Sequence, residues 1–159
     1  MRRNDLKAAV VLPLILGASV FMGPDAHADS PMKKSLYRGD YWTAELAECR
    51  SAIMRRESNY NYRASNPTSS AQGAYQFLDS QWRESLVHMM RKETRKSWPF
   101  KLDRLEQLND TPIRKWPKFF QDFAFYRVAN SKEGQGLLHW SPLPSACNGQ
   151  FARVQKEGV

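Results

Sequence analysis

The chain has 159 residues and 24 Lys and Arg against 16 Asp and Glu, a formal charge of +8. Mean hydropathy is −0.64, yet 42 % of the residues are hydrophobic, enough for one domain with a real core. Three scattered histidines and two distant cysteines show no metal-ligand spacing, which disfavours a metal centre, and no cofactor is expected.

Met1-Arg2-Arg3, an apolar run from Ala8 to Met22 and the small-x-small end Ala26-His27-Ala28 are the three parts of a secretory signal peptide. The run is 15 residues long and contains Pro13, whereas a bilayer span needs about 20 apolar residues. Cleavage is expected after Ala28, giving a protein that is secreted or held in the cell envelope. Removing Arg2, Arg3 and Lys7 with Asp5 and Asp25 leaves 21 basic and 14 acidic residues, a charge of +7. On an exported chain that charge points to an anionic polymer or membrane surface rather than nucleic acid. A solvated basic face also accounts for Arg91, Lys92, Arg95 and Lys96.

Residues 29–39 read as a loose basic leader. From Asp40, a candidate cap, Trp42, Leu46, Cys49 and Ile53 recur at helical spacing. Residues 59–71, rich in Asn, Ser, Thr and Pro, read as a loop with a short β-like turn. Asp79 or Ser80 is placed at the start of a second helix whose stripe is Trp82, Leu86, Met89 and Met90, with both methionines as packing. Trp98-Pro99 breaks it, and a short amphipathic piece, KLDRLEQL, follows. Thr111-Pro112 reads as a cap followed by proline at the first helical position. Pro117 restarts the helix, and Phe119, Phe120, Phe123, Ala124 and Val128 give the last apolar face. The proline-rich tail, GLLHWSPLPSACNG, is expected to fold back and tether Cys147 to Cys49. Two cysteines in an exported chain most simply form one disulfide, two free buried thiols being the alternative.

Glu57 continues the series Cys49, Ile53 at a spacing of four, so the spacing points its carboxylate from the buried face. Loss of water and the negative end of the helix dipole both disfavour the charged form there. The expected result is an acid that stays protonated near neutrality, as a general acid requires. The alternative is a helix-end glutamate in solvent or paired with Arg55 or Arg56, which are expected on other faces.

Glu57-Ser58, the polar loop and Gly73-Ala74-Tyr75-Gln76-Phe77, with Ser80 and Trp82, resemble the catalytic segment of the lysozyme-like transglycosylases. The resemblance is to the resuscitation-promoting factor domain and to the soluble lytic transglycosylases. It covers roughly residues 42–149 and is densest over 49–82. It implies a mainly α, lysozyme-like α+β domain over 40–150, with a polar loop or small hairpin beside the cleft and a tail from 151 to 159. It also implies cleavage of the β-1,4 bond between N-acetylmuramic acid and N-acetylglucosamine in peptidoglycan, by a monomer with Glu57 as acid and then base.

In such enzymes one glutamate suffices, because the sugar's acetamido group assists and its 6-hydroxyl attacks internally. Gln76 is expected to hydrogen-bond the sugar or its acetamido group, a loop-bracing amide being the alternative, and Tyr75 and Trp82 to stack on sugar faces unless they serve the core. Tyr126 resembles the tyrosine of the transglycosylase helix, and Trp140 either walls the cleft or packs the tail. Asp79 is assigned to capping; Asp110 and Asp122 have no assigned place. Asn59 and Tyr60 stand where the family has glycines, Cys49 lies eight residues before Glu57 rather than beside it, and 88–111 is a longer basic segment. The partners expected are glycan strands and anionic wall polymers. A muramidase-type hydrolase and a non-catalytic wall-binding module are the alternatives.

Overall fold

The computed structural model describes residues 34–131 and 136–148; the expected signal peptide, residues 29–33 of the leader and the 151–159 tail lie outside them. The chain is mainly helical. Helix α1 spans Ala44–Ser58, strands β1 (Ala71–Gln72) and β2 (Phe77–Leu78) follow, and then α2 (Asp79–Ser97), α3 (Leu102–Glu106) and α4 (Lys118–Ala129). Single turns of 3-10 helix at Pro99–Lys101, Gln107–Asp110, Ile113–Lys115, Gly136–Trp140 and Ser145–Cys147 make the connections and the tail. The two strands pair antiparallel, Ala71 with Leu78 and Gln72 with Phe77. Among the described residues no helix is long and apolar enough to cross a membrane.

Helix α1 starts at a different cap from the one expected. Thr43 holds the cap position, its Oγ1 accepting from Leu46 N at 3.1 Å, which satisfies one orphan amide of the first turn. Asp40 instead pairs with Lys96 at 3.1 Å. At the other end Asn59 takes the left-handed conformation, φ 50°, and its N–H returns to Arg55 O, the usual way of closing a helix.

Helix α4 is buried on nearly all sides, from Phe120 to Ala129 with Arg127 excepted, as a helix apolar around its circumference should be. α2 packs across it with Leu86, Val87, Met89 and Met90 inward, confirming the methionines as packing. Trp98 and Pro99 end α2 as expected.

The leader is shorter and less loose than the sequence reading has it. Tyr37 is fully buried and stacks on Phe123 with centroids 4.6 Å apart, beside Tyr126 at 5.2 Å. Its hydroxyl donates to Glu93 at 2.7 Å, and the same carboxylate accepts from Asp40 N. A Cβ at Gly39 would strike that carboxylate, so glycine is required for the approach. The packed domain therefore includes residues 35–39.

Cys49 and Cys147 form the expected disulfide across 98 positions, and the Ser145–Cys147 turn lies on α1. In the chain-entropy picture such a long closed loop is worth about 4–5 kcal/mol. Replacing both cysteines by serine should lower the unfolding free energy by about 3–5 kcal/mol in denaturant titration.

Candidate active site

Glu57 sits in the last turn of α1, one step past the buried Cys49 and Ile53. Because the helix ends there, the carboxylate emerges at the rim. Its side chain is 24 % exposed and pairs with Arg56, Nη2 to Oε1 at 2.6 Å. This corrects two expectations: the acid is not dry, and Arg56 does not point away. The same guanidinium donates to the carbonyls of Trp140, at 2.7 Å, and Pro142, so the tail fixes the cation beside the acid.

Ser58 links this helix end to the Gly73–Gln76 turn. Its Oγ lies 2.9 Å from Ala74 O and 3.2 Å from Met54 O. The turn is held from beneath by Gln121, which is buried. Its Oε1 accepts from Ala74 N at 2.9 Å, and its Nε2 donates to the carbonyls of Tyr62 and Trp116. Gly73 has φ +78°, and a Cβ there would lie 2.5 Å from Gln121 Oε1; only glycine fits. Gln76, half-buried, also has positive φ, 52°, and its amide donates to Gly73 O at 3.0 Å. Of the expected site residues, Gln76 thus shares a turn hydrogen-bonded to the residue after Glu57.

The aromatic expectations fare differently. Tyr75 is buried, not a sugar platform: its hydroxyl donates to Asp122 and accepts from Arg50 Nη1 at 2.7 Å. Tyr126 is fully buried in the aromatic core and has no face left for a ligand. Trp140 is also buried, with Nε1–H donating to Tyr75 O at 2.9 Å; it packs the tail. Trp82 is half-buried, with its ring 5.0 Å from that of His139, and keeps an exposed part.

Asp79 does not cap α2. Its Oδ1 accepts from Ile113 N at 2.8 Å and from Arg83 Nε at 3.2 Å, tying the start of α2 to the turn before α4. Asp110 is exposed. Asp122 is fully buried and pairs with the equally buried Arg50 at 3.0 Å. Its carboxylate also accepts from Tyr62 Oη at 2.8 Å and from Leu36 N at 2.8 Å. Burial, reinforced by the Asp122 charge, pushes both the Tyr62 and Tyr75 hydroxyls upward, so both remain donors. A signal for this cluster was present: a carboxylate inside the apolar run 119–128 needs a buried cation.

His139 is the residue the sequence reading passed over. It stands 5.3 Å from Phe77 and 4.9 Å from Trp140, ring to ring. Burial holds its imidazole below the ordinary 6.5, while the charge of Glu57 pulls it back up.

Removing one partner of the buried pair should be severe: Asp122→Ala is expected to cost about 3–5 kcal/mol, while Asp110→Ala should change stability by less than about 0.5 kcal/mol, both read by denaturant unfolding. His139 generates a pH prediction. Its folded value lies below the unfolded one, so the unfolded chain takes up the proton first and stability falls as pH drops below 6.5. Proton NMR should show His139 titrating below 6.5, and Glu57→Gln should move it lower still; an unchanged value would mean the carboxylate does not act on the ring.

No family model, curated protein or solved structure matches the chain, so the chemistry of this site rests on its own residues.

Proposed function

We propose that the protein cleaves the β-1,4 bond between N-acetylmuramic acid and N-acetylglucosamine in peptidoglycan as a lysozyme-like transglycosylase, with Glu57 as the single acid and base. The observation that carries the reading is where the backbone is strained. Asn59 (φ 50°), Tyr60 (φ 64°) and Gln76 (φ 52°) are the non-glycine residues with positive φ among those described. All three adjoin Glu57 in sequence or belong to the turn that Ser58 binds. Asn59 is accounted for by closing α1, but left-handed backbone at Tyr60 and Gln76 costs on the order of 1–2 kcal/mol each, and such strain clusters at functional sites. Asn59 and Tyr60 also stand where the resembled family has glycines, which adopt that conformation freely.

In the proposed reaction Glu57 gives its proton to the glycosidic oxygen as the C1–O bond breaks, with the substrate's acetamido group supporting the positive C1. The carboxylate then takes the proton of the muramoyl 6-hydroxyl as that oxygen closes on C1. The product is a 1,6-anhydro sugar, and the acid is regenerated. Gln76 would orient the acetamido group, and the exposed part of Trp82 would meet a sugar face. Proton donation requires Glu57 to leave Arg56, which the tail carbonyls can retain.

One observation favours a second reading. A carboxylate already neutralised by Arg56 suits a wall-binding module without turnover. The two separate on purified cell wall: the enzyme releases soluble anhydro-muropeptides, and Glu57→Gln lowers the rate by at least about 100-fold, the scale of a lost general acid. Reducing-end muramic acid would identify a hydrolase. Sedimentation with the wall, undiminished in Glu57→Gln and without digestion by either form, would identify the binding module.

A further inference from the structure

A groove of about 700 Å³ lies between the loop leaving α1 and the turn entering α4. Four exposed cations line it: Arg63, Arg114, Lys115 and Lys118. Among the described residues no carboxylate lines it. Arg50, Arg56, Arg83, Arg91 and Lys96 each face an acid, but the four groove cations make no ion pair among the described residues. Lys118 opens α4, whose first turn holds no acidic residue, and its ammonium sits 5.3 Å from the centre of the Tyr62 ring. Like charges gathered around one concavity repel, and an anion entering it relieves that repulsion.

The wall itself is fixed. Trp116 is buried, with its Nε1–H held by Thr111 O at 2.6 Å. Tyr60 is held at φ 64°, with its N–H on Met54 O and its hydroxyl 3.3 Å from Ser51 Oγ.

We propose that this groove binds the peptide branch of the wall polymer through its free carboxylates. The proposal rests on the peptidoglycan reading and names a further part of that substrate. Tyr60 lines the groove and is three residues past Glu57, so its Cα is within about 11 Å of that of Glu57 by chain connectivity. A branch on a strand cut at Glu57 therefore reaches the groove without leaving its sugar. The volume suits a ligand of a few residues rather than a folded partner. Guanidinium groups at Arg63 and Arg114 match the forked geometry of a carboxylate. A phosphate polymer would satisfy the same charges, and the test below separates it from the peptide.

The test uses the secreted chain and a sugar-free branch peptide with free or amidated carboxylates, with Trp fluorescence and NMR shifts as readouts. The free acid should bind at the groove, and Glu57→Gln should bind it as wild type does. Amidation, or the paired exposed changes Arg114→Glu and Lys115→Glu in a variant of unchanged melting temperature, should weaken binding at least tenfold. Equal binding of the amidated peptide, an unaffected double variant, or preference for a peptide-free polyphosphate would overturn the proposal. Digestion of wall by wild type without peptide binding would sink the groove and leave the cleavage reading intact. Peptide binding without digestion of any wall would do the reverse.

Discussion

The carboxylate of Asp122 is where the fold is tied together. From the buried α4 it accepts hydrogen bonds from Arg50 on α1, Tyr62 in the polar loop, Tyr75 in the turn between the strands and Leu36 N in the leader. Four segments that share no strand or helix are thus referred to one oxygen pair. Taking both charges out of water is costly, and the pair gives little net stability over apolar packing. What it fixes is geometry: every donor must arrive at once, or a charge is left buried and uncompensated. A core of Phe and Met alone tolerates small slides of one element past another; this centre does not.

The next residue extends the constraint to the candidate site. Gln121 holds Ala74 N with its oxygen and two carbonyls with its nitrogen, so both ends of its amide are used. Together Asp122 and Gln121 hold Tyr75 by its side chain and Ala74 by its backbone. Between those anchors and Phe77, which is buried and paired in β2, Gln76 has little freedom. That over-determination is what allows a non-glycine residue to remain left-handed. The strain near Glu57 is supported by α4, at the centre of the core.

Much of the architecture was legible in the sequence. The stripes of α1, α2 and α4, the stop at Trp98-Pro99 and the polar loop with its β-like turn follow from local pattern, and the tail's return to Cys49 from the pairing of two cysteines. What pattern misses is partner choice across the chain. Arg56 leaves its helix on an outer face, yet its long side chain reaches back to Glu57 because the tail supplies two carbonyls there. Tyr75 and Tyr126 look like ligand platforms because tyrosine is amphipathic. A buried carboxylate uses one hydroxyl, and the aromatic cluster around Tyr37 takes the other ring. Residues 35–39 read as leader because so short a stretch, with Ser35, Arg38 and Gly39, shows no periodicity to flag the one tyrosine that packs against α4.

The same partner choices decide what a ligand at Glu57 would meet. With Tyr75, Tyr126 and Trp140 withdrawn into the core, Tyr60, Trp82 and His139 are left half-exposed. The acid's own environment is set from the far end of the chain. Cys147 fastens the tail to α1, the carbonyls of Trp140 and Pro142 hold the Arg56 guanidinium, and Arg56 holds Glu57. The disulfide is buried, whereas Arg56 is exposed together with its bonds to Glu57 and Pro142, and an exposed ion pair contributes about 1 kcal/mol at most. The tail carbonyls therefore set where the cation sits more than how tightly the pair holds. In the tethered tail the cation has a defined place, set by the Trp140 and Pro142 carbonyls.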